Sequence, residues 1–237
     1  MIANLIHAEV FDASKRKGGK KKLSSLLTIL LILMMAAGCS ASSAPVVIEG
    51  YETYVNEVAG YTVQYTPDWI LIESDLTVEE VLELFEDYTG NSITEMLGEI
   101  ELDLSSGRAE WFEYDDATGD LVTSAGINVT DSGGVKLNDL KSERNQADLQ
   151  EVLVDAYSSI LDNFQLVLNM HGKTLGKNYY VIFQYLAELT PGQSRVFIQA
   201  MTINGSDLYT ISLSTTVKNL STATYQLEQM LSTLQFK

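Results

Sequence analysis

The last third of the chain constrains the fold more than any other part of it. Asn178 to Leu186 and Arg195 to Ile203 are runs with apolar residues on both faces. A strand of that kind is central in a sheet and covered on both sides. Pro191-Gly192 lies between them as a turn. Asn204-Gly205 follows as a hairpin signal, because both residues tolerate the positive φ that a tight turn demands. Asp207 to Ser214 is the return strand; the alternation predicts Tyr209, Ile211 and Leu213 inward and Thr210, Ser212 and Ser214 outward. Three consecutive strands joined by short turns make an antiparallel meander.

The rest of the chain supplies partners for that sheet. Tyr61 to Tyr65 alternates as a half-buried strand, stopped at Pro67 and followed by Trp69. Helices are expected over Thr77 to Tyr88, with Thr77 and Glu80 as a capping box, and from Ser92. Ala109 to Tyr114 and Leu121 to Val129 read as strands around an Asp-rich turn. The clearest helix carries the stripe Leu149, Val152, Leu153, Ala156, Tyr157, Ile160, Leu161 and Phe164. Asp148 with Glu151 is its expected cap, or it starts earlier, near Asn138. Gln165 to Met170 is a strand ending in a turn at Met170-His171-Gly172. A last helix carries Leu220, Leu227, Leu231 and Leu234, with Phe236 closing against the sheet. The order predicts an α+β fold: a central, mostly antiparallel sheet flanked by helices.

Three segments resemble PsbP/Mog1-like domains: Tyr61 to Trp69 (YTVQYTPDW), the meander Asn178 to Ser214, and Tyr225 to Phe236 (YQLEQMLSTLQF). The resemblance implies an α/β/α sandwich and a non-catalytic accessory or binding module. These are packing motifs, so no functional residue is carried over. A photosystem role does not follow from likeness of fold.

The N-terminal region sets location. Lys15, Arg16, Lys17 and Lys20 to Lys22 precede an uncharged run, Leu23 to Met35, and then Ala36-Ala37-Gly38-Cys39. Positive start, apolar middle and small-residue exit form an export signal. Ending on a cysteine resembles the lipobox of bacterial lipoproteins, with Ala36 where that family has Leu. The apolar run to Ala37 is 15 residues, short of the roughly 20 needed to span a bilayer. The expected organisation is a signal peptide over 1–38, lipidated Cys39 and a short tether over 39–50, and one domain over 51–237. An uncleaved membrane anchor is the alternative. Either way the basic end stays inside and the domain lies at the extracytoplasmic face of the cell membrane.

Removing 38 residues from 237 leaves a mature chain of 199 with 9 basic and 30 acidic residues, a formal charge of −21. Such a surface repels nucleic acid. Cys39 is the only cysteine, so the mature domain has no disulfide, no thiol nucleophile beyond the anchor and no Cys-based metal site. His171 is the single histidine of the mature part and reads as a solvated turn residue. No Gly-x-Ser-x-Gly elbow, His-Glu-x-x-His helix or phosphate loop is present. Asp115, Asp116 and Asp120 read as turn residues because the spacing lacks the ligands of a calcium loop. Asp68 beside Trp69 reads as an exposed acid next to a structural ring.

The sequence therefore predicts a lipid-anchored, extracytoplasmic binding module, with no enzymatic activity, cofactor or metal. Its partners are the membrane, through Cys39, and a membrane-proximal protein. The alternative is a cell-envelope glycan or wall-polymer hydrolase using paired carboxylates, since two acids suffice for that chemistry.

Overall fold

The computed structural model describes residues 46–72, 109–115, 117–190 and 192–237. Cys39 and the helices expected over Thr77 to Tyr88 and from Ser92 lie outside them. The strands are β1 (Glu52–Asn56), β2 (Tyr61–Tyr65), β3 (Ile70–Ile72), β4 (Ala109–Tyr114), β5 (Leu121–Asp131), β6 (Asp162–Leu175), β7 (Asn178–Thr190), β8 (Gln193–Asn204), β9 (Asp207–Thr215) and β10 (Gln235–Phe236). The helices are α1 (Leu137–Leu140), α2 (Glu143–Ile160) and α3 (Leu220–Thr233).

Seven strands form one sheet in the order β3-β4-β5-β9-β8-β7-β6, and β1-β2-β10 form a second. Every pairing is antiparallel. The fold is α+β, as the sequence predicts. The meander β7-β8-β9 occupies the sheet's interior, and the chain reverses at Gly205 with φ 63°.

Two cores result. One lies between the large sheet and the layer made by α3 and the small sheet. It buries Tyr61, Trp69, Trp111, Tyr180, Tyr209, Leu227 and Met230. The other lies under α1 and α2 and buries Leu153, Tyr157, Val181, Phe183, Tyr185 and Met201. In the second, Tyr185 stacks on Phe197 at 4.9 Å between ring centroids and on Tyr157 at 5.0 Å. Phe236 closes the first core against Tyr209, 4.5 Å away.

Several expectations change. The long helix begins at Glu143, because the Ser142 hydroxyl accepts the Asn145 amide at 3.4 Å; Asp148 and Glu151 are mid-helix. That helix ends at Ile160, so Phe164 belongs to β6. Ile160 is 47% exposed, outside the stripe that packs. No turn follows Met170: β6 continues through His171 to Leu175, and the chain turns at Gly176, φ 58°. A Cβ at Gly176 would run into the Ser232 carbonyl at the end of α3, so a residue without one is required there. Thr210 and Ser214 are buried, because both faces of the sheet are covered.

Candidate functional site

The sequence candidates are dispersed. Asp68 is exposed and accepts the Thr66 hydroxyl at 3.1 Å, while Trp69 beside it is buried. That is the structural tryptophan and exposed acid read from sequence. Asp115 uses its carboxylate inside its own turn, accepting the amides of Ala117 at 2.8 Å and Thr118 at 3.2 Å. Asp116 lies outside the described residues. Asp131 likewise accepts the Gly133 amide at 2.5 Å, and Gly133 and Gly134 both have positive φ, so this glycine pair is a turn. His171 is half-buried in β6, its Nδ1 3.1 Å from the Asn169 carbonyl. Among the described residues no group of three or more His, Cys, Asp or Glu could hold a metal ion. No described helix is long and apolar enough to cross a membrane.

Two features stand out that sequence reasoning passed over. The first is a polar sector on the α2 side of the large sheet. Register places Glu110, Gly126, Ser212 and Gln199 in one row across β4, β5, β9 and β8. Ser124 and Ser214 sit in the row on one side, Asn128 and Thr210 in the row on the other. The Tyr157 hydroxyl donates to Gln199 Oε1 at 2.8 Å, and burial pushes its phenol up to about 12. Tyr157 is therefore a neutral donor at physiological pH. Beside this sector Arg195 donates to Ser214 Oγ (2.7 Å) and to the carbonyls of Leu121, Val122 and Ser214 (3.0–3.1 Å). Burial pulls its guanidinium down from its ordinary value. These bonds commit it to holding β8, β9 and β5 together. The three rows contain hydroxyls, amides and one carboxylate, but no histidine or lysine.

The second feature is the outer side of α2. Asp148, Glu151 and Asp155 recur at helical spacing and are exposed, and Asp162 follows at the start of β6. Among the described residues none of the four forms an ion pair. The signal was present as acids at i, i+3 and i+7 opposite the apolar stripe. It reads as an ordinary solvated face until the structure shows what lies beside it. α2 runs back along β6: Gln146 Nε2 donates to Tyr179 Oη at 3.0 Å, Gln150 Oε1 accepts the Met170 amide at 2.6 Å, and Tyr157 meets Phe164. This acidic helix therefore borders β6, the last strand of the sheet among the described residues.

Comparison with known proteins places the fold. No protein-family profile and no curated protein matches the chain. Among solved structures it is similar to cyanobacterial PsbP (CyanoP) from Synechocystis sp. PCC 6803, at 16% identity over 84% of this chain and 100% of that one, with a TM-score of 0.50. LpqN of Mycobacterium tuberculosis, described as involved in cell envelope biogenesis, aligns at 10% identity over 79% of this chain and 91% of its own, TM-score 0.45. The Saccharomyces cerevisiae Ran-binding protein Mog1p aligns at 10% identity over 78% and 95%, TM-score 0.42. At such identities a likeness speaks to architecture alone. The chain has the mixed α+β, mostly antiparallel architecture seen in cyanobacterial PsbP.

Proposed function

We propose that this protein is a lipid-anchored accessory module at the extracytoplasmic face of the cell membrane, engaging a membrane-proximal protein and performing no chemistry. The observation that carries the reading is the row Asp148, Glu151, Asp155 and Asp162, exposed and without counter-ions among the described residues. Such a row attracts a basic protein surface. The export signal ending at Cys39 and the short tether supply the location. About ten extended residues reach roughly 35 Å, which keeps the domain near the bilayer. A diacylated cysteine anchors durably where a single chain would not.

The test has two arms. Protein recovered from membranes begins at Cys39 and carries lipid on its sulfur by mass spectrometry, and Cys39→Ala releases or fails to process it. A mature protein that begins elsewhere overturns the anchor. The purified protein holds its partner at 0.1 M salt and releases it at 1 M, because the Debye length falls from about 10 Å to about 3 Å. Hydrolysis of wall polymer or glycan, abolished by replacing one acid without unfolding, establishes the hydrolase instead.

A further inference from the structure

The tyrosines divide by exposure. Of those among the described residues, Tyr225 is 63% exposed, Tyr51 and Tyr179 are half-buried and the rest are buried. Tyr179 presents its open ring face to a cation, with Lys141 Nζ 5.4 Å from the ring centre. Such a contact is favourable because the face of an aromatic ring is negative. Among the described residues, Tyr51 and Tyr225 have no cation over their rings and no hydrogen bond to their phenols.

These two rings share one corner of the molecule with Asp68. β1 pairs Glu52 with Tyr65, which brings Tyr51 level with Thr66. The Thr66 hydroxyl in turn donates to Asp68 Oδ2 at 3.1 Å. From the other side, the Thr233 hydroxyl at the end of α3 accepts the Gln64 amide at 2.9 Å. Tyr225 lies about 12 Å back from Thr233 along the helix, and Asp68 up to about 13 Å beyond Gln64 along the chain. The electrostatics agree: the Tyr51 phenol is pushed up by burial first, then by the Tyr225 phenol and the Asp68 carboxylate. Asp68 is exposed and, among the described residues, forms no ion pair and leaves Oδ1 without a hydrogen bond. The corner sits where the chain enters the domain, since the Ile48 amide donates to Gln64 Oε1 at 2.9 Å.

We propose that Tyr51, Tyr225 and Asp68 form a recognition site for a guanidinium group, the arginine side chain of a membrane-proximal partner protein. The proposal rests on the binding-module reading and names the group that the partner supplies. Two kinds of contact select that group. The rings favour a flat, weakly hydrated cation stacked on them, and the free carboxylate oxygen needs N–H donors. A guanidinium offers both. A quaternary ammonium has no N–H, and a lysine ammonium is compact and strongly hydrated. An anionic ligand is repelled by Asp68 and by a mature chain with 30 acidic and 9 basic residues. The tether joins the domain at this corner, so the site lies on the side nearest the bilayer, within reach of a membrane-proximal protein.

The test uses the protein purified from membranes in non-ionic detergent micelles, its tyrosine rings labelled for NMR, with N-acetyl-arginine amide as the probe. The probe shifts the ring resonances of Tyr51 and Tyr225, and its neutral citrulline analogue leaves them unmoved. Tyr225→Ala and Asp68→Asn each weaken binding about fivefold, whereas Tyr225→Phe, which keeps the ring face, stays within about twofold. Both positions are exposed, so the variants fold, as far-UV circular dichroism verifies. Removing an acid elsewhere, Glu151→Gln, has less than about a twofold effect. Equal weakening by Asp68→Asn and Glu151→Gln overturns the proposal in favour of diffuse charge attraction. A loss in Tyr225→Phe as large as in Tyr225→Ala removes the stacking contact and overturns it as well. Choline that shifts the rings at lower concentration than the arginine probe overturns it in favour of a lipid headgroup. An equal response to the citrulline analogue overturns it in favour of a neutral ligand. Salt-sensitive binding of the arginine probe or of polylysine that leaves both rings unmoved overturns this site and spares the binding module. No salt-sensitive binding of any basic probe overturns both.

Discussion

The two faces of the large sheet are built from the same strands and differ in almost everything else. On the α3 side one row reads Trp111, Ala125, Leu213 and Ile198, and the next Ile127, Ile211, Ala200 and Ile182. One residue along each strand, on the α2 side, the row reads Glu110, Gly126, Ser212 and Gln199. The α3 face is closed by the chain's own distant parts. Tyr180 Oη donates to the Leu231 carbonyl at 2.8 Å, Tyr209 Oη to Ala59 at 3.2 Å, and the Thr233 hydroxyl accepts the Gln64 amide at 2.9 Å. The α2 face buries apolar side chains under its helix at β7 and β8 and stays polar across β9, β5 and β4. Apolar burial runs from β4 to β7 on the α3 face and is concentrated under the helices at β7 and β8 on the α2 face. The polar rows of the α2 face are themselves buried at Glu110, Gln199, Thr210 and Ser214.

The sharpest way to break this comparison is to truncate neighbours on one strand. Ile211→Ala, at a site with no solvent exposure, is expected to cost about 2–5 kcal/mol by urea denaturation. Ser212→Ala, the next residue on the opposite face, is expected to stay within about 0.5 kcal/mol. Equal losses would mean that both faces carry stability alike.

Within the α2 face, Leu153→Ala should also cost about 2–5 kcal/mol because Leu153 is buried in the second core. Ile160→Ala, at an exposed helix end, should cost under about 0.5 kcal/mol. A large Ile160 effect would place that side chain in the second core.

Tyr157→Phe leaves Gln199 without its donor and should cost about 1–3 kcal/mol. Its pH signature has a definite sign. The folded phenol sits at about 12, above the ordinary 10.0. Folding therefore favours the protonated form, and this contribution is intact below pH 10 and lost as pH rises through about 12. Denaturant titrations between these limits should show wild type losing stability more steeply than Tyr157→Phe. Parallel slopes would remove Tyr157 from the buried polar sector.

The smallest effect is expected at the ion pair between Lys173 and Glu228, 2.6 Å apart and about a third exposed on each side. Glu228→Gln should change stability by no more than about 1 kcal/mol, and less at high salt. A larger, salt-insensitive loss would make β6 a more strongly fixed edge than its three register shifts against β7 suggest.

The sequence by itself determined what is local. The meander, its Asn204-Gly205 turn, the apolar stripe ending in Leu153 and Tyr157, and the packing of Phe236 were legible because side-chain period and turn chemistry act within a few residues. Asp68 and Trp69 were legible for the same reason, as was the turn at Asp115. Tertiary structure alone decided the small sheet, where β10 pairs with a strand more than 170 residues earlier, Gln235 opposite Thr62. β1 was missed because Glu52 to Asn56 is stabilised by β2 and not by its own pattern. Alternation assigned Thr210, Ser212 and Ser214 to the face opposite Tyr209 and Ile211, which is correct, but it could not say that this face is covered. Whether α2 ends at Ile160 or runs through Phe164 depended on β6 taking Phe164 into its ladder. The acids of α2 were visible as charges. That the helix carrying them packs along β6, through Gln150 at Met170 and Tyr157 at Phe164, was not, because local periodicity fixes which way a side chain points, and only long-range pairing fixes what it meets.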